Sequence, residues 1–137
     1  MSKYIERAEE LRASTQVHYN CAQSVIVPFA KDLGVSEEEV MRFAVHFGGG
    51  MKMGSVCGAI TGGLMALGLA GIDSPADANA FCRKIRENHG GLMNCRDLLR
   101  RNMEEGGEKK PHCDAMVYES VALVEEMMRQ AGRFNDT

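Results

Sequence analysis

The chain has 137 residues, 45% of them hydrophobic and 26% charged, with a formal net charge of -3 at pH 7. That length supports one domain with its own core, and the charge balance is that of an ordinary globular protein, which argues against nucleic acid as a partner. The opening stretch, MSKYIERAEELR, has neither an apolar run nor a small-residue cleavage site, so export is not expected and a cytoplasmic location is.

Taken in order, Ser2 is a candidate cap for a first amphipathic helix to about Ala13, with Tyr4, Ile5, Ala8 and Leu11 on one face. Asn20 offers the next cap, for Cys21, Val25, Ile26, Phe29 and Leu33. Gly34 is the stop, and Pro28 is placed to kink or split the run. Ser36 with Glu39 forms a capping-box pattern ahead of Val40, Phe43, Ala44 and Phe47, ended by Gly48, Gly49 and Gly50. A glycine-rich apolar helix is then predicted from Gly54 or Ser55 to about Ala70. Its glycines at 54, 58 and 62 form a ridge against which another helix can pack closely.

The run from Ser55 to Ile72 is nearly long enough to span a bilayer, but its glycines and its lack of Lys, Arg or aromatic flanks make it a buried helix. The chain is therefore not expected to be membrane-embedded. Ser74 and Pro75 read as cap and first position of a helix to about His89, with Phe81, Cys82 and Ile85 facing inward. Asn94 caps a short helix containing Cys95, Leu98 and Leu99. A loop is expected over residues 102–110, and a last helix runs from about Pro111 to Ala131 with Gly132 as its stop. No strand alternation and no repeat occurs, so the fold expected for residues 1–137 is a single all-α bundle of about six or seven helices, with any site built between facing helices.

Of the five cysteines, Cys21, Cys57, Cys95 and Cys113 fall in the first turn of a predicted helix, and Cys82 falls mid-helix on an apolar face. Unpaired N–H groups and the positive end of the helix dipole favour thiolate over thiol, the form that attacks disulfides and oxidants and binds soft metals. The competing reading is that cysteine is simply a small buried hydrophobe, which is the one that suits Cys82. Cys21, the stretch from Gly54 to Gly62 (GSVCGAITG), Cys95 and Cys113 together resemble the C_GCAxxG_C_C family, whose redox label is an inference from its cysteines. Cys57 to Gly62 fits its CGAxxG element in full, and the resemblance covers nearly the whole chain. It implies Cys21, Cys57, Cys95 and Cys113 as the functional residues, with Cys82 outside the pattern.

Separations of 36, 38 and 18 residues leave no C-x-x-C pair, so local spacing favours neither zinc nor an iron–sulfur cluster. A four-thiolate site for either stays open as an alternative if the helix starts converge. The preferred reading is thiol–disulfide or electron-transfer chemistry with an unidentified redox partner or small-molecule oxidant. Cys57 is the first choice of attacking thiol because glycines surround it, and Cys113 beside His112 is the second. The loop from Gly48 to Gly54 lacks a Walker ending and reads as a flexible connector; Met51 and Met53 read as core filling. His18, His46 and His89 show no ligand spacing. A non-catalytic interaction module with packed, inert cysteines is a further alternative, and a homodimer is an assembly open to so small a bundle.

Overall fold

Ser2 accepts hydrogen bonds from the Tyr4 and Ile5 amides and so starts α1 (Lys3–Ala13), which buries Tyr4, Ala8 and Leu11. The computed structural model describes residues 2–133. After α1 come α2 (Cys21–Ala30), α3 (Glu37–Ala44), α4 (Gly58–Leu69), α5 (Pro75–Asn88), α6 (Cys95–Glu104) and α7 (Lys109–Gln130). The described residues form an all-α domain, as the periodicity predicts; the one extended pairing among them is an isolated antiparallel bridge between Val56 and Asn94. No helix among them is long and apolar enough to cross a membrane.

The capping residues act as the sequence suggests. Asn20 and Gln23 form a reciprocal capping box at α2, Ser74 and Asp77 another at α5, and Ser36 accepts from the Glu39 amide at α3. Pro28 lies inside α2, which tightens into a 3-10 turn over Lys31–Leu33 and stops at left-handed Gly34.

α2 is the central helix. Ala22, Val25, Val27, Phe29 and Ala30 are all buried, packed among α1, α3, α4 and α7, and the Tyr4 ring stacks on Phe29 at 4.5 Å. Its closest neighbour is α4, because two of the predicted ridge glycines, Gly58 and Gly62, face it. A Cβ on Gly62 would come within 2.7 Å of the Ala22 carbonyl oxygen, and one on Gly58 within 3.2 Å of the Ala22 nitrogen. From the other side α7 holds α4, through a hydrogen bond of 2.6 Å donated by the Ser120 hydroxyl to the Ala59 carbonyl.

Three local expectations fail. Phe43, expected on the buried face of α3, is 63% exposed, because this eight-residue helix buries the stripe of Val40 and Ala44 and Phe43 lies off it. Met53 is 69% exposed and Met51 37%, so neither fills the core. The glycine loop before α4 is a defined left-handed turn rather than a loose connector. Gly49, Gly50, Met51, Lys52 and Gly54 all have positive φ, and the turn is closed by a 2.9 Å bond from the Ser55 amide to the Gly50 carbonyl. It delays α4, which starts at Gly58 with Cys57 as its N-terminal flanking residue.

Candidate functional site

The glycine contact between α2 and α4, together with the bridge from Val56 to Asn94, brings distant helix starts to one place. The Cys57 amide donates to the Met93 carbonyl at 2.9 Å and the Cys95 amide to the Ser55 carbonyl at 2.6 Å, so a single pair of backbone bonds sets Cys57 and Cys95 on the same face, diagonally across the bridge. Gly58 carries no side chain where it faces α2, and a Cβ there would lie 3.3 Å from the Cys21 Cβ. α7 completes the ring with Cys113. The result is a cavity of about 590 Å³ lined by Cys21, Cys57, Cys95 and Cys113. All five cysteines are free thiols, and Cys82 stays away from the cavity, half-buried against the core.

The four thiols differ sharply in acidity. Cys21 and Cys113 line the cavity together and influence each other's acidity in opposite directions. Interaction with Cys21 lowers the pKa of Cys113 to about 7 against the opposing effect of burial, with help from the cations Arg12 and Lys109. Interaction with Cys113 and burial raise that of Cys21. Burial pushes Cys57 up to about 11 although the Ala59 and Ile60 amides favour its thiolate. Cys95 is raised by burial and by Cys113, and Lys109 works against that rise.

Arg12 brings a buried cation to this pair of thiols. Only 9% of its side chain is exposed, and its Nε donates to the Asp114 carboxylate at 2.7 Å while its guanidinium also donates to the Tyr19 carbonyl at 3.0 Å. The ion pair holds the end of α1 against α7 and fixes a permanent positive charge beside Cys21 and Cys113. Nothing in the sequence marks it as functional. Its one signal is helical spacing, four residues after buried Ala8 and next to buried Leu11, which puts it at the edge of the inward face of α1.

A family model described as "Putative redox-active protein (C_GCAxxG_C_C)" matches residues 19–127. The chain belongs to this family. No curated protein and no solved structure matches it. All four cavity cysteines lie within the stretch that matches the C_GCAxxG_C_C family, and Arg12 lies before it.

Several sequence expectations about the site need correcting. Cys57 is not an open thiol: it is 6% exposed, because removing side chains at Gly58 and Gly62 lets α2 close over it instead of admitting solvent. Cys113 is the fifth residue of α7, beyond the first turn, since the helix begins at Lys109 and tolerates Pro111 as its third residue. Its acidity therefore owes nothing to free first-turn amides. His112 is not favoured as its cation either, for burial and His89 lower the pKa of His112 and so disfavour its charged form. His112 and His18 do line the cavity, whereas His89 pairs with Glu119 at 2.7 Å and His46 is exposed.

Zinc or an iron–sulfur cluster would need three or four donors around one point. Among the described residues no group of three His, Cys, Asp or Glu side chains is placed to hold a metal ion, so the four thiols, as arranged here, do not form such a ligand set.

Proposed function

We infer that the protein carries out two-electron thiol–disulfide chemistry with Cys113 as the attacking thiolate and Cys21 as the resolving thiol. The observation that carries this reading is that Cys21 and Cys113 line one cavity with the buried Arg12 guanidinium, where Cys113 is the thiol held below the usual range. A thiol with a pKa near the ambient pH is the best attacking group, because it is substantially ionised and still nucleophilic.

In the first step the Cys113 sulfur bonds to one sulfur of a disulfide, the substrate S–S bond breaks and one half leaves as thiolate. The Cys21 proton passes to that leaving thiolate. Cys21 then attacks the Cys113 sulfur, forms the Cys21–Cys113 bond and releases the second half as a thiolate, which takes a proton from water. The protein has lost two electrons and the substrate has gained them; an external dithiol returns the pair to its reduced form.

Treatment with one equivalent of hydroxyethyl disulfide tests this. The expected result is loss of two of the five thiols, with Cys21 and Cys113 joined in one cross-linked peptide by mass spectrometry. In Cys21→Ser the reaction should stop at a stable mixed disulfide on Cys113. Linkage of any other pair, or no loss of thiols, overturns the assignment, and complete inertness would return the chain to the class of interaction modules.

A further inference from the structure

The cavity in front of Cys113 has a charge pattern unlike that of the molecule as a whole. The chain is net negative at -3, yet the residues lining this cavity include Arg12, Lys52, Arg96 and Lys109 and neither Asp nor Glu among the described residues. Arg12 is balanced by Asp114. The other three have no ion-pair partner among the described residues. They come from three separate elements, the left-handed turn, the second position of α6 and the first of α7.

Their placement is tied to the backbone that builds the thiol site. Lys52 is held in the left-handed conformation at φ 60, which costs a non-glycine residue free energy, and a Cβ on Gly54 would come within 3.0 Å of the Arg96 Cβ. The turn that carries Lys52 therefore packs directly on the start of α6. By contrast, the outer groove between α1 and α3 is lined by Arg7 and Arg42 together with Glu37 and Glu38, a balanced set.

On the footing of the thiol–disulfide reading above, we propose that the substrate is a small anionic disulfide, one bearing carboxylate groups that Lys52, Arg96 and Lys109 hold while Cys113 attacks its sulfur. A volume of about 590 Å³ accommodates a low-molecular-weight compound and not a folded protein partner. Unpaired cations around a recessed wall also concentrate the anionic reactant and raise its encounter rate, a gain that salt screens.

The test compares single-turnover rates of Cys113 with the dianionic 5,5'-dithiobis(2-nitrobenzoate) and the neutral 4,4'-dithiodipyridine, each divided by its rate with 2-mercaptoethanol at the same pH. The normalised preference for the anion is expected to be about tenfold or more at low salt, to collapse in 1 M salt, and to disappear in a Lys52→Gln, Arg96→Gln, Lys109→Gln triple variant. Normalising to the neutral probe removes any change in Cys113 acidity from loss of Lys109, and a far-UV circular dichroism spectrum and thermal transition matching those of the parent report that the variant is folded. Equal normalised rates in the parent protein, or a preference that survives the triple change, overturn the anion site while leaving the thiol chemistry standing. If the neutral probe labels some cysteine other than Cys113, the thiol assignment itself fails and the substrate proposal falls with it.

Discussion

The two halves of the thiol cluster are held by different means and behave differently. Cys57 and Cys95 are positioned by main-chain hydrogen bonds of the bridge between Val56 and Asn94, and burial keeps both protonated. Cys21 and Cys113 are brought to the same cavity by helix packing and by the ion pair of Arg12 with Asp114. The difference teaches that proximity and reactivity have separate origins here: the bridge supplies position, and only the half that sits beside a fixed cation has a sulfur poised to ionise. A helix start is not enough, since Cys57 flanks one and remains a weak acid with its pKa near 11.

The largest effect should separate these halves kinetically. Cys113 is held below the usual thiol range and Cys57 is pushed above it by burial, so far more of Cys113 than of Cys57 is thiolate at pH 7. The more basic thiolate recovers part of that deficit through its greater nucleophilicity, leaving a net advantage to Cys113 of about tenfold or more. Alkylation by iodoacetamide at pH 7, mapped by mass spectrometry, should therefore lose its fast phase in Cys113→Ser and keep it in Cys57→Ser. A fast phase that vanished with Cys57 would reverse the comparison.

Next in size is a change aimed at the backbone-held half. Gly50 has φ +64, and a Cβ there would collide with the Ser55 carbonyl and approach the Cys95 Cβ to 2.9 Å. Gly50→Ala must therefore push the left-handed turn away from the bridge, at a cost of about 1–3 kcal/mol in chemical denaturation. Cys57 should become more accessible to alkylation, while the Cys113 fast phase keeps its rate. Equal stability in parent and variant would mean that the turn does not brace Cys57 and Cys95.

Much of the helical framework was legible because caps are local signals: Ser2, Asn20, Ser36 and Ser74 act where their spacing places them. The starts of α4 and α7 were misplaced for physical reasons. Positive φ at Met51 and Lys52 is imposed by the surrounding turn and has no sequence signature. Proline fits any early position of a helix, because amides there have no partner, so Pro111 could not fix the first residue. The four cavity cysteines were also legible, from their shared position near helix starts and the family pattern. Which sulfurs face each other was not, because a bridge of two backbone bonds and a salt bridge between residues 12 and 114 are long-range contacts that no local pattern records.

Arg12 offers the finest probe of the comparison, because it changes the chemistry of one half without touching the other. Arg12→Gln removes the cation beside Cys113 and leaves Asp114 with Lys110 as its remaining charged partner. Both consequences disfavour negative charge on the Cys113 sulfur, so its pKa must rise from about 7. The pH midpoint of its alkylation should move upward by about one pH unit, which slows the reaction at pH 7 roughly fivefold. Above pH 9 the parent and variant rates should converge, since Cys113 is then largely ionised in both. Cys57, whose acidity is set by burial, nearby amides and its cysteine neighbours, should keep its own profile. A midpoint that stayed near 7 would show that the neighbouring Cys21 and Lys109 sustain the Cys113 thiolate without it, leaving the Arg12–Asp114 pair to hold α1 against α7.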